Sequence, residues 1–188
     1  MKRLPPQFKE FRKHRDLVSI RRAGVDDHSI QGFILDFSDD LVLLHHVYDF
    51  HSDGLLLLRC ADITSCEAGA TNRFQRDLLR TEGILDQVDF HYRAPIRSYS
   101  SFLHSLPAWE IVIVEDELSS EPEFLIGTVH SVDDWSASIR FFSGAAVWDD
   151  EPREIPIERI SSCQVRTNYT AFYTRHFQRQ KSATENGS

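Results

Sequence analysis

The sequence has few of the features that would identify an activity. Its 188 residues include only eight glycines, and these form neither a glycine-rich phosphate loop nor a nucleophile-elbow serine. The longest apolar runs, such as 41–44 and 55–58, are far shorter than the roughly 18 residues that cross a bilayer. No apolar stretch of signal-peptide length follows the basic amino terminus. We therefore expect a cytoplasmic protein that does not enter a membrane, needs no cofactor and is not an enzyme.

Cysteine is also scarce, and its spacing argues against a zinc site. Cys60, Cys66 and Cys163 are an odd number of thiols, and the two that lie close together match no common zinc-ligand spacing. Free cysteine is among the most buried residue types. We expect all three to be reduced and packed in the core.

Positive charge is scarce outside the amino terminus. The net charge is −8, yet residues 1–22 carry eight Lys or Arg against Glu10 and Asp16. The remaining residues would repel a polyanion, so nucleic-acid binding would have to use the amino-terminal segment, with Arg12, Lys13 and Arg15 as the candidates. The alternative is a solvated, charged helix face with no ligand.

What the sequence does contain is an internal repeat at an offset of about 96 residues. Gly32 matches Gly127, and Asp39 matches Asp134 in the turn that follows. Further on, the segment 62–67 parallels 159–164, and the Thr-Asn pair at 71–72 parallels the one at 167–168. Four anchors in the same order and spacing indicate two copies of one unit.

Each copy contains five short runs rich in β-branched and large apolar residues, separated by turn signals such as Ser52-Asp53-Gly54. The runs are 17–22, 30–36, 41–48, 55–58 and 63–67, then 109–115, 124–131, 136–142, 154–157 and 160–166. Their regular spacing predicts a small barrel or sandwich. The predicted fold is mainly β with flanking helices, built as two tandem five-stranded small barrels.

A helix is predicted after each fifth strand, because each Thr-Asn pair offers a side-chain cap. The apolar stripe of the first helix is Phe74, Leu78 and Leu79, and the second helix spans 169–179. We predict a first unit at 1–84, a connection at 85–108 with a short helix near 100–106, a second unit at 109–180, and a disordered tail at 181–188.

Five short strands, a glycine in the second and an aspartate before the third resemble the Sm and Sm-like family of SH3-like small barrels. Leu58-Arg59-Cys60-Ala61-Asp62-Ile63 is similar to that family's second motif, with Cys60 in place of its glycine. The chain also resembles uncharacterised bacterial proteins. The resemblance implies the fold and, for some members, RNA binding.

In RNA-binding members of that family, an asparagine in the third strand and the arginine of the second motif contact the nucleotide. The asparagine position falls on Val42 in the first copy and on Ala137 in the second, and neither can read a base edge. Arg59 is the one nucleotide-contacting residue of that family that is present in this sequence. The alternative interpretation of Arg59 is a surface ion pair.

Histidines provide a further hypothesis. His45, His46 and His51 lie close together in sequence, with Asp49 and Asp53 as additional candidate ligands for a metal. Adjacent residues on a strand point to opposite faces, which argues against a shared ion at His45 and His46. The alternative is a polar barrel rim.

Three functions follow from these patterns. The first is a non-catalytic module that uses its strand edges to assemble with itself or with another protein. The second is RNA binding through Arg59 and the basic amino-terminal segment. The third, with the least support, is a metal-dependent enzyme at the histidines.

Overall fold

The computed structural model describes residues 7–185, and these form a mainly β protein with flanking helices. The first half contains helix α1 (Gln7–His14), strands β1 (Leu17–Arg21), β2 (Ile30–Phe37), β3 (Leu41–Tyr48), β4 (His51–Arg59) and β5 (Ser65–Glu67), and helix α2 (Ala70–Thr81). The rest contains α3 (Tyr99–His104), β6 (Ile111–Asp116), β7 (Glu123–Val132), β8 (Ser136–Phe141), β9 (Arg153–Pro156), β10 (Ser162–Val165) and α4 (Asn168–Glu185).

All ten strands belong to one antiparallel sheet in the order β5-β1-β2-β3-β4-β10-β6-β7-β8-β9. Each predicted run contributes one strand, so mainly β with flanking helices is the architecture. The sheet is continuous across the two halves, whereas the sequence predicts two separate barrels. The two halves are joined where β4 pairs with β10.

The two halves repeat each other in their backbone hydrogen bonds. Thr64 N–H donates to the Arg21 carbonyl at 2.8 Å, and Ser161 N–H donates to the Glu115 carbonyl at the same distance. The turns before β3 and β8 match as well, with Ser38 to Leu41 in one half and Asp133 to Ser136 in the other. A short 3-10 turn precedes the last strand of each half, at Cys60–Asp62 and Ile157–Arg159.

The matched glycines, Gly32 and Gly127, lie at the same place in the two halves. A side chain at Gly32 would meet the His45 carbonyl oxygen, and one at Gly127 would meet that of Arg140. A β-bulge follows in each case, at Ile34/Asp36 and at Val129/Ser131. The glycine therefore lets the neighbouring strand approach closely where the sheet bends.

Apolar side chains fill the inside of each half. In the first half Phe8 of α1 packs with Val18, Ile34, Leu44 and Cys66. In the second half Val112, Val114 and Ile139 pack with Ile155 and Cys163, in a cluster that continues into the first half. Cys60, Cys66 and Cys163 are all buried and unpaired, as the sequence predicts.

The connection at 85–108 is packed against the sheet. Its helix α3 lies close to the predicted position and buries Tyr99, Phe102 and Leu103 in the core that the two halves share. The connection is therefore part of the fold and not a free linker.

The helices depart from prediction at their ends. Gly69, not the Thr-Asn pair, is the residue before α2, and Asn72 accepts a hydrogen bond from the Gly69 N–H at 3.0 Å. In the second half Thr167 does cap, because its hydroxyl accepts from the Thr170 N–H at 3.0 Å. Helix α4 continues to Glu185, so residues 181–185 of the predicted disordered tail are helical, and 186–188 lie outside the described residues. None of the helices within residues 7–185 is long and apolar enough to cross a membrane.

The predicted turn at Ser52-Asp53-Gly54 is wrong. Asp49 and Phe50 form the turn, with φ of 47° and 62°, and β4 begins at once with His51 paired to Tyr48. Two residues with positive φ are typical of the type I′ hairpin turn, which usually contains Asn or Gly. Asp49 and Phe50 are neither Asn nor Gly, so the sequence did not predict a turn at this position.

Candidate functional site

We call the line where β4 pairs with β10 the seam, because it joins the two halves of the molecule. β4 and β10 pair in register, from Leu58 opposite Ser162 to Leu55 opposite Val165. The seam therefore pairs the fourth strand of the first half with the fifth strand of the second half. The same two kinds of strand, β9 and β5, stand at the two ends of the sheet, and within residues 7–185 neither has a partner on its outer side.

Side chains reinforce this seam. The buried Tyr99 hydroxyl donates to the Ser161 carbonyl at 2.9 Å and reaches the Leu57 carbonyl at 3.5 Å, so it contacts both halves. Burial raises its pKa well above the usual tyrosine value. At the far end, Asn168 donates from its backbone N–H to Asp53 at 2.8 Å.

Gly54 lies where the backbone of the second half comes close to that of the first. A Cβ on this residue would overlap the backbone of Arg166, and its φ of +73° also favours glycine. The glycine that the sequence suggests as a turn residue is thus a seam residue.

Arg59 also belongs to the seam. Its Nε donates to Asp62 at 2.9 Å and its Nη1 donates to the Glu158 carbonyl of the second half at 2.7 Å. The guanidinium is thereby held against protein, which weakens the prediction that it contacts RNA.

The histidines are not brought together around one point. His45 is buried with its Nε2 at 2.8 Å from the Ser52 hydroxyl, whereas His46 faces Asp53 at 3.4 Å. The exposed His51 is hydrogen-bonded through Nδ1 to the Asp49 carbonyl at 2.7 Å. Within residues 7–185 no three His, Cys, Asp or Glu side chains are arranged to hold a metal ion.

Burial changes the proton affinity of His45. It lowers the pKa of this imidazole to about 4, with the adjacent His46 acting in the same direction and Asp53 opposing. His45 is therefore neutral at physiological pH.

Arg12, Lys13 and Arg15 line one cleft, which we call the basic cleft, with a volume of about 510 Å³. Its wall also includes Lys9, Phe90, His91 and Arg93. Arg12 pairs with Asp36 at 2.9 Å, and the guanidinium of Arg15 lies 4.7 Å from the centre of the Phe90 ring. The three basic residues of the sequence hypothesis thus meet at one place.

A larger cavity of about 710 Å³ lies on the sheet surface beside the seam, and most of its charged lining residues are acidic. The buried Arg22 is neutralised there by Asp26 at 2.7 Å and Glu117 at 2.8 Å. Burial raises the pKa of Glu115, while hydrogen bonds from Ser162 and Gln164 oppose the rise. With its one arginine already paired, this cavity would repel an anionic ligand.

The sequence did not reveal the partners of the basic cleft. Phe90 and Arg93 are far from Arg15 in the sequence, and Lys9 belongs to no motif. Only the folded structure shows that they line the same cleft as Arg15. The seam likewise depends on long-range pairing.

No family model, curated protein or solved structure matches this chain.

Proposed function

We propose that this chain is a non-catalytic assembly module whose two sheet edges, β5 and β9, join copies head to tail. We also propose that each half is one Sm-like unit, so that the chain is a tandem of two. The single observation that carries the proposal is the seam, because it shows a fourth strand of one half pairing with a fifth strand of the other.

The repeat specifies how a second copy would dock. β9 corresponds to β4, because Ala137 faces Ile155 as Val42 faces Leu58. β5 corresponds to β10, as the matched hydrogen bonds of Thr64 and Ser161 indicate. A joint in the register of the seam would therefore put Ser65 opposite Ile155 and Glu67 opposite Arg153.

The charges at this joint are complementary. Glu67 and Arg153 are both exposed, and in the docked register they would lie opposite each other on one face. Such a cross-strand pair is favourable, and like charges in the same place are not. Helix α2, which directly follows β5, adds apolar surface through Phe74 and Leu78, which are 63% and 37% exposed.

The joint is heterologous, since it uses two different edges. Head-to-tail contacts close into a ring if the rotation per copy allows it and otherwise extend into a filament. Both edges are short, and β9 ends in Pro156, which has no N–H for a ladder. We therefore expect association that depends on protein concentration.

We place this module in the cytoplasm, because three buried thiols fit a reducing compartment. A protein partner that offers a free strand edge would use the same two surfaces.

Sedimentation velocity over a concentration series tests the proposal. We expect Glu67→Arg alone and Arg153→Glu alone each to weaken self-association about three- to tenfold, because each puts like charges opposite one another. The double variant with both changes restores the pair and should recover most of the affinity.

Two results would overturn the proposal. One is a monomer at every concentration together with no partner retained in a pull-down. The other is an equal loss in the single variants with no recovery in the double variant, provided that urea midpoints show all three to be folded.

A further inference from the structure

A second site lies in the first half, away from the edges used in the proposed function. We infer that the basic cleft binds a nucleotide, by its phosphate on the cationic wall and by its base against the aromatic floor. The ligand is either a free nucleotide or one residue of single-stranded RNA, which share this chemistry.

The wall of the cleft carries an excess of positive charge. Helix α1 supplies Lys9, Arg12 and Lys13, and the opposite side supplies His91 and Arg93. Arg12 is balanced by Asp36, and Lys13 approaches Glu10 at 4.0 Å. Within residues 7–185, Lys9, Arg15 and Arg93 form no ion pair, so their charge is available to a phosphate.

The floor of the cleft is apolar and aromatic. Ile34 is buried beneath it, and the half-buried Phe37 packs edge-on against Phe8 at 5.9 Å between ring centres. Phe90 is held edge-on by Phe33 at 5.5 Å. Rings fixed in this way offer a rigid surface to a planar ligand, and bases bind to such surfaces with little regard to sequence.

Arg15 connects the two parts of the site. Its guanidinium carbon lies over the Phe90 ring at 4.7 Å from the ring centre, so the cation and the ring form one surface on which we expect a base to stack. It also ends α1 with φ of 52°, a position that glycine usually occupies. An arginine at this position carries backbone strain, which is common where a side chain serves a ligand.

Arg93 fixes the opposite wall. Its Nη1 donates to the carbonyls of Leu35, Phe90 and Tyr92 at 3.3, 3.1 and 2.5 Å. Its remaining guanidinium nitrogens stay available to a phosphate. The cleft volume of about 510 Å³ also lies in the range of small-ligand sites.

Fluorescence anisotropy with a labelled short oligouridine, at about 50 mM salt, tests the site in the full chain. We expect Lys9→Gln/Arg15→Gly to weaken binding about tenfold or more, because it removes two of the cations that form no ion pair in the cleft. Glycine suits the backbone at position 15, so this variant should fold at least as well as the parent. Arg73→Gln/Arg179→Gln removes the same charge from exposed positions on α2 and α4 and should have much less effect.

Uridine monophosphate as competitor distinguishes the two sources of the nucleotide. Displacement of the oligouridine by the monophosphate at comparable affinity indicates a free nucleotide, whereas displacement only at great excess indicates RNA. Both results support the site, provided that the cleft variant weakens each ligand.

Three results would overturn the inference: no binding by the parent chain, an equal loss in the control variant, or polyglutamate bound as tightly as the oligouridine. The last result would indicate a surface for any polyanion. The cleft variant should leave self-association unchanged, so the failure of this inference is distinguishable from that of the proposed function.

Discussion

Gly127 illustrates how a single residue is constrained by the close approach of two strands. Gly127→Ala would place a methyl group against the Arg140 carbonyl within a packed sheet. We expect it to lower the free energy of unfolding by about 3 kcal/mol, because overpacking forces the backbone to move. Urea unfolding measures this effect.

Gly144 is the matched control. No atom lies within 4 Å of a Cβ built on it, and its φ is outside the left-handed region. Gly144→Ala should therefore be neutral or slightly stabilising. A similar cost for both substitutions would contradict the role assigned to Gly127.

His45 predicts how stability changes with pH. Its pKa is about 4 in the folded chain and 6.5 for an ordinary histidine, so between these values the unfolded chain binds more protons. The contribution of His45 is present above pH 6.5 and is lost as the pH falls toward 4. From pH 7 to pH 5 we expect a loss of about 2 kcal/mol from this residue.

The check is urea unfolding of the parent chain and of His45→Gln at both pH values. The variant should be less stable at pH 7 but should lose less stability on acidification. If both lose the same amount, His45 is not responsible for the pH dependence.

Among the elements, α4 has one stabilising face and one exposed face. Phe177 packs against Phe142 at 5.1 Å and Trp148 at 4.8 Å, measured between ring centres, whereas Phe172 is 68% exposed. We expect Phe177→Ala to lower the free energy of unfolding by about 2–3 kcal/mol, since the side chain is only partly buried. Phe172→Ala should change it by less than about 0.5 kcal/mol. Equal costs in urea unfolding would show that the helix is oriented differently.

Elements were predictable from the sequence to different degrees. All ten strands could be located, because alternating apolar residues and turn signals act locally. The start of β4 was missed, since Asp49 and Phe50 are unusual residues for their turn. The helical tail was missed because its residues are polar and carry no apolar stripe.

The candidate sites were less predictable than the strands. Arg12, Lys13 and Arg15 could be singled out by their charge, but their aromatic partner Phe90 lies on the connection, and no local pattern links the two. The pairing of β4 with β10 joins residues about 100 positions apart and depends on the whole fold. Arg59 was judged by its motif, whereas its actual contacts cross the seam.

At the scale of the whole molecule, the continuous sheet and shared core predict that the two halves unfold together. All three tryptophans, at 109, 135 and 148, lie in the second half. Tryptophan fluorescence therefore reports that half, while far-ultraviolet circular dichroism reports both. We expect the two signals to give one coincident transition in urea. Separate midpoints would show that the seam does not couple the halves.

The packed connection favours pairing of each half with the other half of the same chain over pairing with a half of another chain. Because β4 and β10 belong to one polypeptide, each half meets its mate at a high effective concentration. Exchange of halves between two chains would require Tyr99, Phe102 and Leu103 to leave the core and then find the same places again. Domain-swapped dimers should therefore form only when the chain refolds from denaturant at high concentration, and the native molecule keeps its own two halves together.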